Sequence, residues 1–225
     1  MRIGLFGGTF NPVHFGHLRT ILEIRESFAL DRIYFIPSAT PPHKTPEGIA
    51  DAQDRYRMLL LAIDDQESFV ASDVELDRSG PSYSIDTVSY FQESLPEETR
   101  LFLILGLDAF LEIDTWRSFQ EFFDRVPIIV MARPIALTGM GSPVNCEVKR
   151  ILKRYLEEKI SDRYRLSKEC SCYVHEEKQP VYPAAVTTLD ISSTLIRKKL
   201  AEGKSIRYLT PDRVVSYIRY KGLYV

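Results

Sequence analysis

The sequence has little of what would place it in a secreted, membrane or nucleic-acid-binding class. Three cysteines, Cys146, Cys170 and Cys172, are too few and odd in number for a disulfide framework, which predicts a reducing, cytoplasmic setting. Basic and acidic residues nearly cancel, 29 against 31 in 225 residues. With no surplus of positive charge to hold a polymeric backbone through counterion release, no nucleic-acid partner is expected. The longest apolar run, residues 101–107, falls far short of the ~20 residues a membrane span needs, so no membrane association is expected. A loop of functional character begins by Gly7, so no signal peptide is expected. A chain of this length can bury a core without covalent staples.

What the sequence does have is alternation. A strand-like run, residues 2–6, leads through glycines to Leu18, Ile21, Leu22 and Phe28, apolar positions at near-helical spacing. A second strand, residues 32–36, enters "PSATPPHKTPEG", whose prolines at 37, 41, 42 and 46 exclude regular structure. Asp51 is placed to cap a helix reaching about Ile63, and residues 69–71 read as a short strand. "SIDTVSYFQES" is helix-like. "RLFLILG" and "PIIVMA", separated by a helical stretch around residues 119–123, are apolar throughout, as strands buried on both faces are. Strands alternating with helices predict an α/β fold, a doubly wound, Rossmann-like parallel sheet with helices on both faces. Residues 134–183, with a charged helical stretch at 147–159, read as an insertion or subdomain of that single domain. The closing segment reads as a helix with Thr210 as N-cap and Pro211 in its first turn.

Ligands of such sheets bind beyond the carboxyl ends of the strands, which selects four loops: 7–16, 37–48, 106–117 and the turn before Ser192. Gly7 and Gly8 let the backbone approach a ligand, while the next helix offers unpaired N–H groups and a positive dipole end, so phosphate is the natural guest. Neither a G-x-G-x-x-G turn nor a Walker A loop is present. In their place stand His14 and His17, hydrogen-bond donors near neutral pH. In "DISSTLIRKKL", Ser192 or Ser193 can cap a helix whose first N–H groups face an anion, and Arg197 lies one turn on with a planar fork for phosphate. Cys170, Cys172 and His175 fall within six residues but lack a fourth ligand at zinc spacing, so no metal held by protein side chains is expected.

"GGTFNPVHFGH", together with the I-S-S-T-x-I-R pattern in "DISSTLIRKKL", resembles the nucleotidyltransferase superfamily that shares H-x-G-H with class I aminoacyl-tRNA synthetases. "GLDAF" followed by Trp116, with "FNP" and "PSYSIDT", makes the chain similar to bacterial nicotinate-nucleotide adenylyltransferases over nearly everything outside 134–183. That resemblance implies transfer of AMP from ATP to nicotinate mononucleotide, giving nicotinate adenine dinucleotide and pyrophosphate, with magnesium carried on the ATP phosphates. It implies catalytic roles for His14, His17 and Arg197. It implies ATP and phosphate contacts from Gly7, Gly8, Thr9, Phe10, His43, Lys44, Ile191, Ser192, Ser193 and Thr194. For the mononucleotide it implies Trp116 stacked on the pyridine ring, Asp108 accepting from a ribose hydroxyl, and Gly106 and Arg133 near the nucleotide. Main-chain N–H groups near Ser84 and Arg117 would meet the carboxylate, although the family more often has threonine in place of Ser84. Nicotinamide mononucleotide and phosphopantetheine are the alternative acceptors, and a nucleotide sensor without turnover is the non-enzymatic alternative. Both phosphate motifs are intact, which speaks against the sensor, and no K-M-S-K-S loop is present to suggest a synthetase. Homo-oligomerisation is left open.

Overall fold

The computed structural model describes residues 1–39, 48–78, 80, 82–132 and 145–225. In chain order the elements are β1 (Arg2–Gly8), α1 (Phe15–Ser27), β2 (Arg32–Pro37), α2 (Ala52–Ile63), β3 (Phe69–Ala71), α3 (Ser84–Ser94) and β4 (Arg100–Gly106). There follow α4 (Leu107–Phe110), a 3-10 turn (Ile113–Thr115), α5 (Phe119–Arg125), β5 (Ile128–Ala132), α6 (Asn145–Tyr155) and a π-helical turn (Leu156–Ile160). The chain closes with β6 (Arg165–Ser167), β7 (Cys172–Val174), β8 (Val181–Ala185), α7 (Ser193–Ala201) and α8 (Asp212–Lys221). Two compact units result, one of residues 1–5 and 83–187, the other of residues 6–82 and 188–225. The fold is α/β with a Rossmann-like strand order, as the alternation predicts.

In the first unit the hydrogen-bonded order is β1-β4-β5-β8-β7-β6. β4, β5 and β8 run parallel, with Gly106 opposite Met131 and Ala132 opposite Ala185. Continuous apolar sequence fits this place: Leu101 to Leu105 and the whole of β5 are buried. Phe110, Phe122, Phe123 and Leu152 are fully buried beside them. In the second unit the order is β3-β2-β1, with β2 and β3 parallel. Its core includes an aromatic cluster in which Phe6 meets Phe10 and Phe35 at 5.6 Å and Phe35 meets Phe69 at 5.0 Å. Aromatic pairs of this kind add ~0.5–1.5 kcal/mol each beyond their buried area.

Three local expectations change. The sheet is not purely parallel, because β6 and β7 form an antiparallel hairpin and β7 pairs antiparallel with β8. Cys170 and Cys172 are joined in a disulfide at the turn of that hairpin, with Ser171 between them at φ +51°. Thr210 does not cap the closing helix; it is fully buried, and its hydroxyl donates to the Val13 carbonyl at 2.8 Å, while Pro211 takes the N-cap position.

Candidate active site

In the second unit, β1 ends at Gly8 and α1 starts at Phe15, so residues 9–14 form the loop that follows the strand. A Cβ built on Gly7 would meet nothing within 4 Å among the described residues. At Gly8 a Cβ would press on the Phe10 ring at 3.0 Å. Phe10 itself is buried with φ +47°, a left-handed backbone that costs a non-glycine residue of order 1–3 kcal/mol.

His14 is the N-cap of α1 and is buried, and His17 lies one turn on, half-buried. Their rings stack with centroids 3.7 Å apart and 24° between planes. The His14 main-chain N–H donates to His17 Nδ1 at 3.3 Å. That bond uses the Nδ1 lone pair, so the neutral ring that accepts it carries its proton on Nε2. Gly16 is required by the same geometry. A Cβ there would lie 2.9 Å from His14 Nδ1 and 3.4 Å from the Ile191 carbonyl. The glycine between the two histidines is therefore the residue that lets His14 fold back over the helix start.

The second phosphate motif reaches the first through the backbone. Ser192 caps α7 by accepting from Leu195 N at 3.1 Å, leaving Ser193 and Thr194 in the first turn. Ser193 Oγ donates to the Pro12 carbonyl at 2.9 Å, and Arg197 Nη1 donates to the Asn11 carbonyl at 2.8 Å. Arg197 Nη2 also donates to Thr194 Oγ1 at 3.3 Å. A guanidinium carries five N–H donors, so these two bonds orient Arg197 without exhausting it. Ile191 N donates to the Leu189 carbonyl at 2.7 Å, which folds the chain into the helix.

Sequence reasoning missed the residues that hold this loop. Asn11, buried, accepts at Oδ1 from Ala50 N and the Tyr224 hydroxyl, at 3.0 and 2.6 Å, and donates from Nδ2 to the Gly48 carbonyl. Arg55 of α2 is 1% exposed and donates to four carbonyls: Thr9 at 2.8 Å, Ser38 at 2.7 Å, and Ala39 and Ala50 at 3.0 Å. Burial lowers the pKa of Arg55 and raises that of the Tyr224 hydroxyl. An arginine in a helical run gives no sign that its partners are main-chain oxygens of other loops.

In the first unit, Ser84 opens α3 and Tyr83 is its N-cap. The guanidinium of Arg117 lies over the Tyr83 ring at 4.6 Å, which brings Arg117 and Ser84 to one place. Gly106, at the end of β4, is the N-cap of α4, and Asp108 sits exposed in that helix's first turn. A Cβ on Gly106 would stand 2.4 Å from Asp108 Oδ1, so the carboxylate folds back onto the glycine. Trp116 is half-buried, its ring edge-on to Phe122 at 5.8 Å. His43, Lys44 and Arg133 lie outside the described residues.

A β-strand delivering a glycine turn to paired histidines, with a serine-capped helix behind it, defines a nucleotidyltransferase class. Residues 5–199 match the cytidylyltransferase-like family, and the chain belongs to it. Within that class it is similar over its whole length to nicotinate-nucleotide adenylyltransferases. It is 40% identical over 227 residues to the "Probable nicotinate-nucleotide adenylyltransferase" of Desulfatibacillum aliphaticivorans, covering 100% of both chains. With the protein of the same name from Geotalea uraniireducens the identity is 40% over 225 residues, covering 100% of this chain and 98% of that one. Among solved structures, the Plasmodium falciparum nicotinic acid mononucleotide adenylyltransferase complexed with NaAD has a TM-score of 0.71 at 17% identity, covering 99% of this chain and 97% of that one. That last likeness is one of fold.

Proposed function

We propose that this protein transfers AMP from ATP to nicotinate mononucleotide, releasing pyrophosphate and forming nicotinate adenine dinucleotide. The observation that carries the chemistry is the stacked His14–His17 pair at the start of α1, with His17 Nδ1 accepting from the His14 main-chain N–H. Full-length similarity to nicotinate-nucleotide adenylyltransferases supports the choice of acceptor.

The 5′-phosphate oxygen of the mononucleotide attacks the α-phosphorus of ATP in line. A new P–O bond forms there, and the bond from that phosphorus to the bridging oxygen breaks, with its electron pair leaving on pyrophosphate. The attacking phosphate is already anionic at neutral pH, so no general base is needed. His14, His17, Arg197 and the N-terminus of α7 stabilise charge on the transferring group, by donors fixed before the reaction begins. Gly7, Gly8, Thr9, Phe10, Ile191, Ser192, Ser193 and Thr194 line the nucleotide phosphates, with His43 and Lys44 as further contacts. ATP enters as its magnesium complex. In that complex the magnesium ion is carried by phosphate oxygens and water.

The first unit receives the mononucleotide: Trp116 on the pyridine ring, Asp108 on the ribose, the main-chain N–H groups of Ser84 and Arg117 on the carboxylate, Gly106 at close approach and Arg133 toward the phosphate. We place the reaction in the cytoplasm. Among the described residues no helix is long and apolar enough to cross a membrane.

The test is pyrophosphate release from ATP and magnesium with nicotinate mononucleotide, nicotinamide mononucleotide and phosphopantetheine in parallel. A strong preference for the first is expected. Preference for the amide would overturn the carboxylate site, and preference for phosphopantetheine would overturn the ring site. No turnover with any of them would leave a nucleotide sensor.

A further inference from the structure

Trp116 sits at the end of the 3-10 turn Ile113–Thr115, its N–H donating to the Ile113 carbonyl at 2.9 Å. Ile113 is fully buried and anchors that turn from below. Asp114 is held from the side, by residues 41 and 45 positions further along the chain. The Tyr155 hydroxyl accepts from Asp114 N at 3.2 Å and donates to Asp114 Oδ1 at 2.8 Å. Lys159 Nζ lies 3.1 Å from Asp114 Oδ2. One residue thus has its N–H and both carboxylate oxygens taken up by the end of α6 and the π turn.

The neighbouring charges of this helix behave differently. Lys153 pairs with Glu157 and Arg154 with Glu158, both exposed contacts within the same helical surface and worth little. Lys159 departs from that pattern and reaches across to another element. Tyr155 also packs its ring on Phe110 of α4 at 5.4 Å, so it touches the short helix that carries Asp108 as well as the turn that carries Trp116. Burial first, then the bond to Asp114, pushes the Tyr155 hydroxyl up to about 12, which keeps it a donor across the neutral range. π-helical turns recur at functional sites.

We propose that Tyr155, Asp114 and Lys159 form a clasp that positions the Trp116 platform, so that part of the 134–183 segment sets affinity for the mononucleotide. Tyr155 and Lys159 are positioning residues acting through Trp116. The inference rests on the reading of Trp116 as the ring platform.

Trp116 is the only tryptophan, so tryptophan emission, excited selectively over the 12 tyrosines, reports on this turn alone. Tyr155→Phe keeps the ring on Phe110 and removes only the hydroxyl, and Lys159→Met removes only the charge. In Tyr155→Phe the KM for nicotinate mononucleotide should rise roughly tenfold, on the scale of one hydrogen bond to a charged group, while KM for ATP and kcat stay put. Unliganded Tyr155→Phe should show Trp116 emission at longer wavelength and stronger quenching by acrylamide. Lys159→Met should move both readouts in the same direction, and Lys153→Met should move neither. Wild-type emission together with wild-type KM values in Tyr155→Phe would overturn the clasp, as would equal rises in KM for both nucleotides. If the wild-type enzyme does not adenylylate nicotinate mononucleotide, the proposed function falls, and unchanged emission and quenching in Tyr155→Phe would still overturn the clasp independently.

Discussion

Gly16→Ala adds one methyl group at the most crowded point of the phosphate-binding turn. Its Cβ would lie 2.9 Å from His14 Nδ1, 3.0 Å from Cε1 and 3.4 Å from the Ile191 carbonyl. To regain ordinary van der Waals distance the imidazole must retreat by about 0.5 Å. It cannot move alone, because it is buried and stacked on His17 at 3.7 Å. A misplacement of about 1 Å at a reacting centre costs ~10²-fold, so kcat should fall by roughly 10- to 100-fold. The protein should remain folded. Alanine gains up to about 1 kcal/mol over glycine in a helix, set against ~1–3 kcal/mol for overpacking. The net loss of at most about 3 kcal/mol lowers Tm by no more than ~12 °C in a chain of this size. Initial rates of pyrophosphate release and a thermal melt, on one preparation, measure both. A folded Gly16→Ala enzyme with wild-type kcat would refute the argument that this glycine exists to seat His14.

Arg55→Met keeps the volume and strips four carbonyls of their donor, so a loss of about 3 kcal/mol is expected, seen as a Tm lower by roughly 6–12 °C. An unchanged melt would show that water serves those carbonyls as well as Arg55 does. Gly106→Ala drives a Cβ into Asp108 Oδ1, the far end of a side chain that can turn away. Its stability should hold while KM for the mononucleotide rises roughly tenfold and KM for ATP does not; equal KM values would remove Asp108 from the ribose. Burial pushes Tyr155, Tyr173 and Tyr217 up to about 12, above the ordinary tyrosine value of 10.0. Groups raised on folding contribute fully below their unfolded pKa, so the denaturant midpoint should fall as pH rises from about 10 to 12. Flat stability over that window, or all phenolates ionising together near pH 10, would contradict their burial.

The parts of the fold that were legible are those with one strong physical cause. β4 and β5 are apolar at every position because both faces are covered, and α2 begins where Asp51 accepts from Gln53 N at 2.8 Å. β8 was not legible. "VYPAA" carries a proline, which argues against an interior strand, yet β7 pairs with β8 only at Val181, so the missing N–H of Pro183 falls where β7 makes no demand. The β6–β7 hairpin was hidden for a related reason: three-residue strands are too short to show a period. At the site, the histidine pair and the serine-capped helix were legible from residue type and spacing. Asn11, Arg55, Tyr224 and Tyr155 were not, because each acts through a contact more than 30 residues away in sequence. Thr210 had the right chemistry for a cap, but it lies one residue too early: Pro211 holds the N-cap position, and the Thr210 hydroxyl donates to the Val13 carbonyl.

The central claim is that His17, held with Nε2 as donor, stabilises the transferring phosphoryl group. The direct test is steady-state pyrophosphate release by wild-type and His17→Ala enzyme with ATP, magnesium and nicotinate mononucleotide. Loss of one such donor should lower kcat by ~10²–10³-fold, while the lost contact to His14 N costs no more than about 1 kcal/mol of stability. A stable His17→Ala enzyme turning over at the wild-type rate would contradict the account at its core.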